Sequence, residues 1–217
     1  IRDRFLIIIV CTKAQGPEFW PQNVIKLSPL KFGEFSNPAF EVSFERVTNK
    51  RSSLQIMAAW LLPANLWRPL PEIPPKIKGF RIGGEARGYF FKSAPHGSYV
   101  SVEADYLSNR YRDKARFGES EAYLDTLGTN YVDTFSVRKE TATFSLKWGY
   151  QIVVHRISLD FYFGLGARYK SVRHRDRRIP SDDMESPRHP NLPYMKNREG
   201  NYWTVAMPIN FKIGYNF

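Results

Sequence analysis

Long apolar runs are missing from this chain of 217 residues: the best two, Phe5–Cys11 and Ile56–Leu62, have seven residues each. A membrane-crossing helix needs roughly 18 or more, so a helical membrane protein is excluded. Cysteine is almost absent. Cys11 stands alone, which rules out an internal disulfide framework and a cysteine-based zinc site. There is no internal repeat, no low-complexity tract and no linker, and no segment carries a convincing helical period. What is abundant is aromatic: 16 Phe, 12 Tyr and 5 Trp, far too many for a disordered chain. With a net charge of +11 and a mean hydropathy of −0.44, the averages describe one basic, water-soluble domain. They leave a membrane β-barrel open, because its apolar residues alternate instead of running together.

The N-terminal stretch, IRDRFLIIIVCTKA, places Arg2 and Arg4 before a short apolar run and small residues after it. That is the layout of a secretory signal peptide, so residues 1–14 are expected to be a signal and 15–217 a single domain. A buried first strand is the competing reading. Cys11 leaves it open whether a cysteine is lipidated or removed with the signal.

The remainder alternates with period two, the signature of strands with two chemically different faces. Trp203, Val205, Met207, Ile209, Phe211, Ile213, Tyr215 and Phe217 alternate with smaller or polar residues. So do Ile157, Leu159, Phe161, Phe163, Leu165, Ala167 and Tyr169. Shorter cases cover Phe40–Glu45, Leu54–Leu62, Phe80–Phe90, Val100–Tyr106 and Ala142–Gln151, with Asn23–Phe32 the poorest because Pro29 interrupts it. The count is eight strands. Their links alternate in length. Asn49–Ser52, Lys92–Gly97 and His155–Arg156 are short, whereas Pro63–Lys76, Arg110–Asp133 and Ser171–Gly200 are long. In an up-and-down meander such alternation puts tight turns at one end and long loops at the other, as in outer-membrane barrels.

The expected fold is therefore all-β: an eight-stranded antiparallel up-and-down transmembrane β-barrel with a side-chain-filled lumen. Lipid cannot satisfy backbone hydrogen bonds, so the sheet must close, and the apolar face must point outward. The other face collects Glu41, Glu45, Arg81, Glu85, Arg87, Glu103, Asp105, Lys147, Asp160, Arg168 and Lys212. Acids and bases nearly balance there, as a structural ion-pair network requires. Gly83, Gly149, Gly164, Gly166 and Gly214 would leave room for the long side chains. Trp20, Trp60, Trp148, Trp203, Tyr99, Tyr150 and Tyr215 suit interfacial aromatic girdles.

Two stretches carry a family resemblance. The C-terminal alternation ending in Ile213, Tyr215 and Phe217 resembles the assembly signal of outer-membrane proteins, which implies recognition by the barrel-assembly machinery. The segment Asn23–Gln55, with Phe44-Glu45-Arg46 and the Lys50–Leu54 turn, is similar to the opening of small OmpA/OmpW-like barrels of unassigned function. The resemblance implies the outer membrane of a Gram-negative bacterium. The proline-rich stretch Leu66–Pro71 has no counterpart in that pattern.

The functional expectations follow. Arg110, Arg112, Lys114 and Arg116 open one long link, and Lys170, Arg173, Arg175, Arg177 and Arg178 another. Arginine matches phosphate with a planar fork of donors, so these loops are read as contacts to outer-membrane lipid and lipopolysaccharide. The role is structural or surface-interacting, with a protein partner in a larger envelope assembly, no nucleic acid, no cofactor and no metal. Two alternatives stand. One is a lipid A-modifying, deacylase-like barrel enzyme, for which His96-Gly97-Ser98 has the spacing but lies in a short turn. The other is a soluble lipocalin-like barrel, whose apolar face would point inward. A metal site from His174, Asp176, Asp182, Asp183 and Glu185 is the least favoured.

Overall fold

The structure is a computed structural model that describes residues 22–33, 37–63, 77–118, 131–179, 183–184 and 198–217. The signal peptide, Cys11, Trp20, the stretch Leu66–Pro71, and Asp182 and Glu185 of the metal set lie outside the described residues, as does the side chain of Arg116. Among the described residues the chain is all-β save for one helical turn. In order it forms β1 (Asn23–Leu27), α1 (Pro29–Phe32), β2 (Ala39–Asn49), β3 (Ser52–Leu61), β4 (Lys78–Tyr89) and β5 (Gly97–Gly118). Then follow β6 (Tyr131–Val154), β7 (Ile157–Arg175), the two-residue β8 (Asp183–Met184), β9 (Gly200–Ala206) and β10 (Ile209–Asn216).

From β1 to β7 each strand pairs antiparallel with the next, β9 and β10 both pair with β7, and β10 returns to β1, so nine strands close in a ring, with β8 beside β5. The β9 and β10 segments share one place in it. Both pair with β7 in a single register, Ala206 opposite Gly166 and Ile209 opposite Phe163. Pro208 between them has no N–H to give to the ladder. The seam is held where β1 begins, just beyond the end of β10: Asn23 and Phe217 exchange backbone hydrogen bonds of 3.2 and 3.0 Å. The tight turns β2–β3, β4–β5 and β6–β7 share that end, and the long connections share the other.

Three boundaries differ from the sequence reading, each for a physical reason. The first strand stops at Leu27 instead of reaching Phe32. Ser28 precedes Pro29, whose fixed φ suits the first helical position, and the chain makes one helical turn, Pro29–Phe32, ended at Gly33. The basic segments expected in loops are strands: β5 runs on to Gly118 and β7 to Arg175. Arg110, Arg112 and Lys114 therefore lie on β5, and Lys170 is buried on the inner face of β7.

The strands run on through a change of phase. On β5, Val100, Val102 and Tyr106 point outward, but Leu107, Tyr111 and Phe117 point inward. On β6, Phe135 and Val137 point inward, whereas Phe144, Leu146 and Trp148 point outward. Near the turn end the ring thus exposes apolar side chains and buries polar ones. Near the long-connection end it does the reverse. There Leu61, Ile77, Leu107, Tyr111, Phe117, Phe135, Val137 and Val172 form an ordinary inner core, with the Phe117 and Phe135 rings edge to face at 5.3 Å.

Candidate functional site

Inside the apolar-faced half lies a continuous polar network. It takes side chains from every strand except β8 and β9, because alternation sends every second residue inward. Lys26 on β1 reaches Glu45 at 2.6 Å and Asp160 at 2.7 Å, and donates to Gln151 at 2.8 Å. Arg87 grips Glu85 with two parallel hydrogen bonds of 3.0 Å, the strong bidentate geometry. A third nitrogen of Arg87 donates to Asp160 at 2.8 Å. Tyr99 gives its hydroxyl to Asp160 at 2.6 Å while its ring lies 4.4 Å under the Arg87 guanidinium. Tyr89 donates to Glu45 at 2.7 Å, and Ser53 donates to the same carboxylate.

A second lobe centres on Lys147, which pairs with Glu85 at 3.1 Å and with Glu103 and lies 4.0 Å from the Tyr162 ring centroid. Lys212 stands 3.2 Å from Glu41 and donates to Ser43 at 2.9 Å. Ser28 gives its hydroxyl to Glu41 at 2.7 Å. Arg81 and Asp105 form a longer, half-buried pair at 3.6 Å, and Arg168 is half-buried on the inner face of β7. The structure thus places all eleven inner charges named from the sequence on the interior side. Sequence reasoning missed Lys26, Tyr89 and Gln151. The signal for Lys26 was there, in the alternation of Ile25, Lys26 and Leu27.

Glycine makes the room. A Cβ on Gly149 would sit 2.5 Å from the Tyr99 ring, and one on Gly166 only 2.2 Å from the Phe144 carbonyl oxygen. Tyr99 itself is a correction. Read as a girdle residue, it is fully buried, because it alternates with the outward Val100. Trp60, Trp148, Trp203, Tyr150 and Tyr215 do face outward, and so do Ile213 and Phe217, each roughly half exposed.

The basic residues divide. Arg110, Arg112, Lys114, Arg173 and Arg175 are exposed on the outer face, and Arg116 lies on β5. Arg177 does not join them. Its guanidinium lies 4.5 Å over the ring of Phe117 and caps the inner core. Arg178 is exposed, and its backbone N–H donates to Asp133 at 2.8 Å. Arg138, not singled out from the sequence, is the central member of the outer group and pairs with Glu140.

Among the described residues, His96 and His174 both engage β6. His96 accepts a hydrogen bond from the Val153 N–H on its Nδ1, at 3.0 Å, not from Ser98. Its Nε2 lies 3.0 Å from the Lys92 ammonium. Burial and that ammonium hold its pKa below the usual histidine value. His174 packs its ring 4.6 Å from that of Phe135, while Asp176 accepts from Ser136 at 2.9 Å. Among the described residues no three metal-ligating side chains converge. No known family model matches the chain, and no curated protein matches it.

Proposed function

We propose that the chain is an integral outer-membrane β-barrel of eight strand positions whose charged lumen is closed by its own side chains, and which acts at its outer surface. One observation carries this reading: the phase inversion. Outward apolar positions cover four successive rows from Gly88–Val100–Trp148–Phe163 to Ile82–Tyr106–Ala142–Tyr169. In water such a face would be a large contiguous apolar patch, which soluble monomers rarely show. In hydrocarbon it is the required surface. Beyond those rows the outer face turns polar and the core turns apolar, as expected where the wall leaves lipid for water. On β7 the outward apolar positions run from Ile157 to Tyr169, more than the roughly 9–11 residues a tilted strand needs to cross.

The interior network argues for a structural barrel rather than a channel, since paired side chains from opposite walls occupy the lumen. The same interior argues against a lipocalin-like binding barrel, whose inner face would be apolar. The outer arginines fit a phosphorylated membrane surface such as lipopolysaccharide, with the barrel-assembly machinery as the partner during insertion. The closing test is fractionation, followed by electrophoresis of the outer membrane with and without boiling. A folded barrel migrates differently unheated. Recovery in a soluble fraction with no heat shift overturns the reading.

A further inference from the structure

We propose that the outer wall over β4–β7 and β9 is a binding site for one phosphate-bearing lipid, its phosphate held by a row of arginines and an acyl chain lying in the groove beneath. The inference rests on the membrane reading and goes past it, because it fixes which wall binds and what chemistry is bound. Register puts Lys78, Arg110, Arg138 and Arg173 side by side on four adjacent strands. All four face outward by alternation. Like charges directly opposite on a sheet repel, and Glu140, two residues along β6, pairs with Arg138. Arg138 Nε, itself buried, has no hydrogen-bond partner. A row of cations this dense needs an anion from outside, and guanidinium suits phosphate.

Directly along the same strands is an open groove of about 600 Å³. It forms because Ala104, Ala142 and Ala167 stand where neighbouring outward positions carry large side chains. The walls are aromatic: Tyr169 and Trp203 at 5.2 Å on one side, and on the other Tyr106, whose ring has Phe80 behind it at 6.4 Å. Between groove and cations lies one row, Phe80, Ser108, Glu140 and Ser171; its two hydroxyls suit ester or sugar oxygens, and its acid is taken up by Arg138. The order is thus apolar, hydroxyl, cationic, which is the order of acyl chain, linkage and phosphate in a membrane lipid. A soluble phosphate would use only the last, and an acidic protein would have no use for the groove.

The test uses the full chain reconstituted in phosphatidylcholine vesicles containing brominated-acyl lipid A or the same lipid dephosphorylated. Quenching of Trp203, isolated by a Trp203→Phe control, reads occupancy. The expected result is a preference of tenfold or more for the phosphorylated lipid. Arg110→Gln, Arg138→Gln and Arg173→Gln together abolish the preference, and they relieve repulsion, so the unheated gel shift persists. Ala142→Phe fills the groove and lowers quenching several-fold. Millimolar inorganic phosphate leaves the lipid bound. Equal quenching by both lipids in the wild type, an unaffected triple variant, or displacement by inorganic phosphate overturns the proposal. A chain that inserts and shows the heat shift but no preference sinks this inference alone. A chain that does not insert sinks the membrane reading beneath it.

Discussion

Lys26 holds its ammonium 2.7 Å from an Asp160 carboxylate oxygen, across 134 residues of sequence, with both side chains excluded from solvent. One residue belongs to β1 and the other to β7, so the contact reaches past β10, which lies between them, and ties the first strand to β7. Because β1 is only five residues long, its own ladder holds it weakly. Its buried cation supplies the rest.

Lys26→Met should therefore be severe. It leaves Asp160 and Glu45 with one cation fewer in a closed interior, and removing one partner of a buried pair costs roughly 3–5 kcal/mol. Urea titration of the refolded protein in detergent should show a large drop in midpoint at unchanged slope. Lys26→Met combined with Asp160→Asn should recover part of the loss, since fewer charges are left unpaired. A midpoint within error of wild type for the single variant would show that the network is slack.

The glycines give a sharper contrast. A Cβ on Gly166 would stand 2.2 Å from the Phe144 carbonyl, whereas one on Gly84, facing outward, meets nothing closer than 4.0 Å. Gly166→Ala should force β6 and β7 apart and reduce the fraction that shows the unheated gel shift. Gly84→Ala should leave that fraction unchanged. Equal behaviour of the two variants would contradict the side assignment of β4 and β7.

Much of this was legible in the sequence. Period-two alternation of Ile157–Tyr169 and Trp203–Phe217 names the strands, and the parity of link lengths names the meander. What was not legible has one main cause. A single apolar phase fails beyond Tyr106 on β5 and before Ala142 on β6, and on that pattern alone Arg110 and Arg112 fall in a loop. The strands continue with the phase reversed, Tyr111 and Phe117 inside and the arginines outside. The slip itself, Tyr106 followed by Leu107, was readable as a change of environment. The pairing of Lys26 with Asp160 was not, because alternation gives the side of a residue and never its partner across the ring.

The two environments make a prediction about the outer surface. Leu146, 56% exposed, lies within the apolar rows, and Val132, 64% exposed, lies beyond the phase slip. If the rows face lipid, Leu146→Arg costs about 2–4 kcal/mol near the bilayer midplane, while Val132→Arg costs little. Unfolding from phosphatidylcholine vesicles should separate the two variants clearly. In a water-soluble protein both substitutions would be nearly neutral, and that outcome would refute the lipid-facing assignment.

The tight turn between β4 and β5 carries a pH dependence. Neutral His96 accepts the Val153 N–H, and protonation would end that bond while bringing a second charge against Lys92. Partial burial, reinforced by the Lys92 ammonium, lowers the His96 pKa in the folded chain below its ordinary 6.5. The folded state therefore binds the proton less readily than the unfolded one. The associated stability is complete above that ordinary value and is lost as the pH falls through the lowered folded value. Amide exchange at Val153 should accelerate on acidification through this range once the intrinsic rate is divided out, and His96→Gln should remove the acceleration. His96 is only half-buried, so the effect should stay local, with the global unfolding midpoint moving little over the same range. A Val153 protection factor that is flat from pH 7 to pH 5 would mean that the His96 bond does not hold the turn to β6.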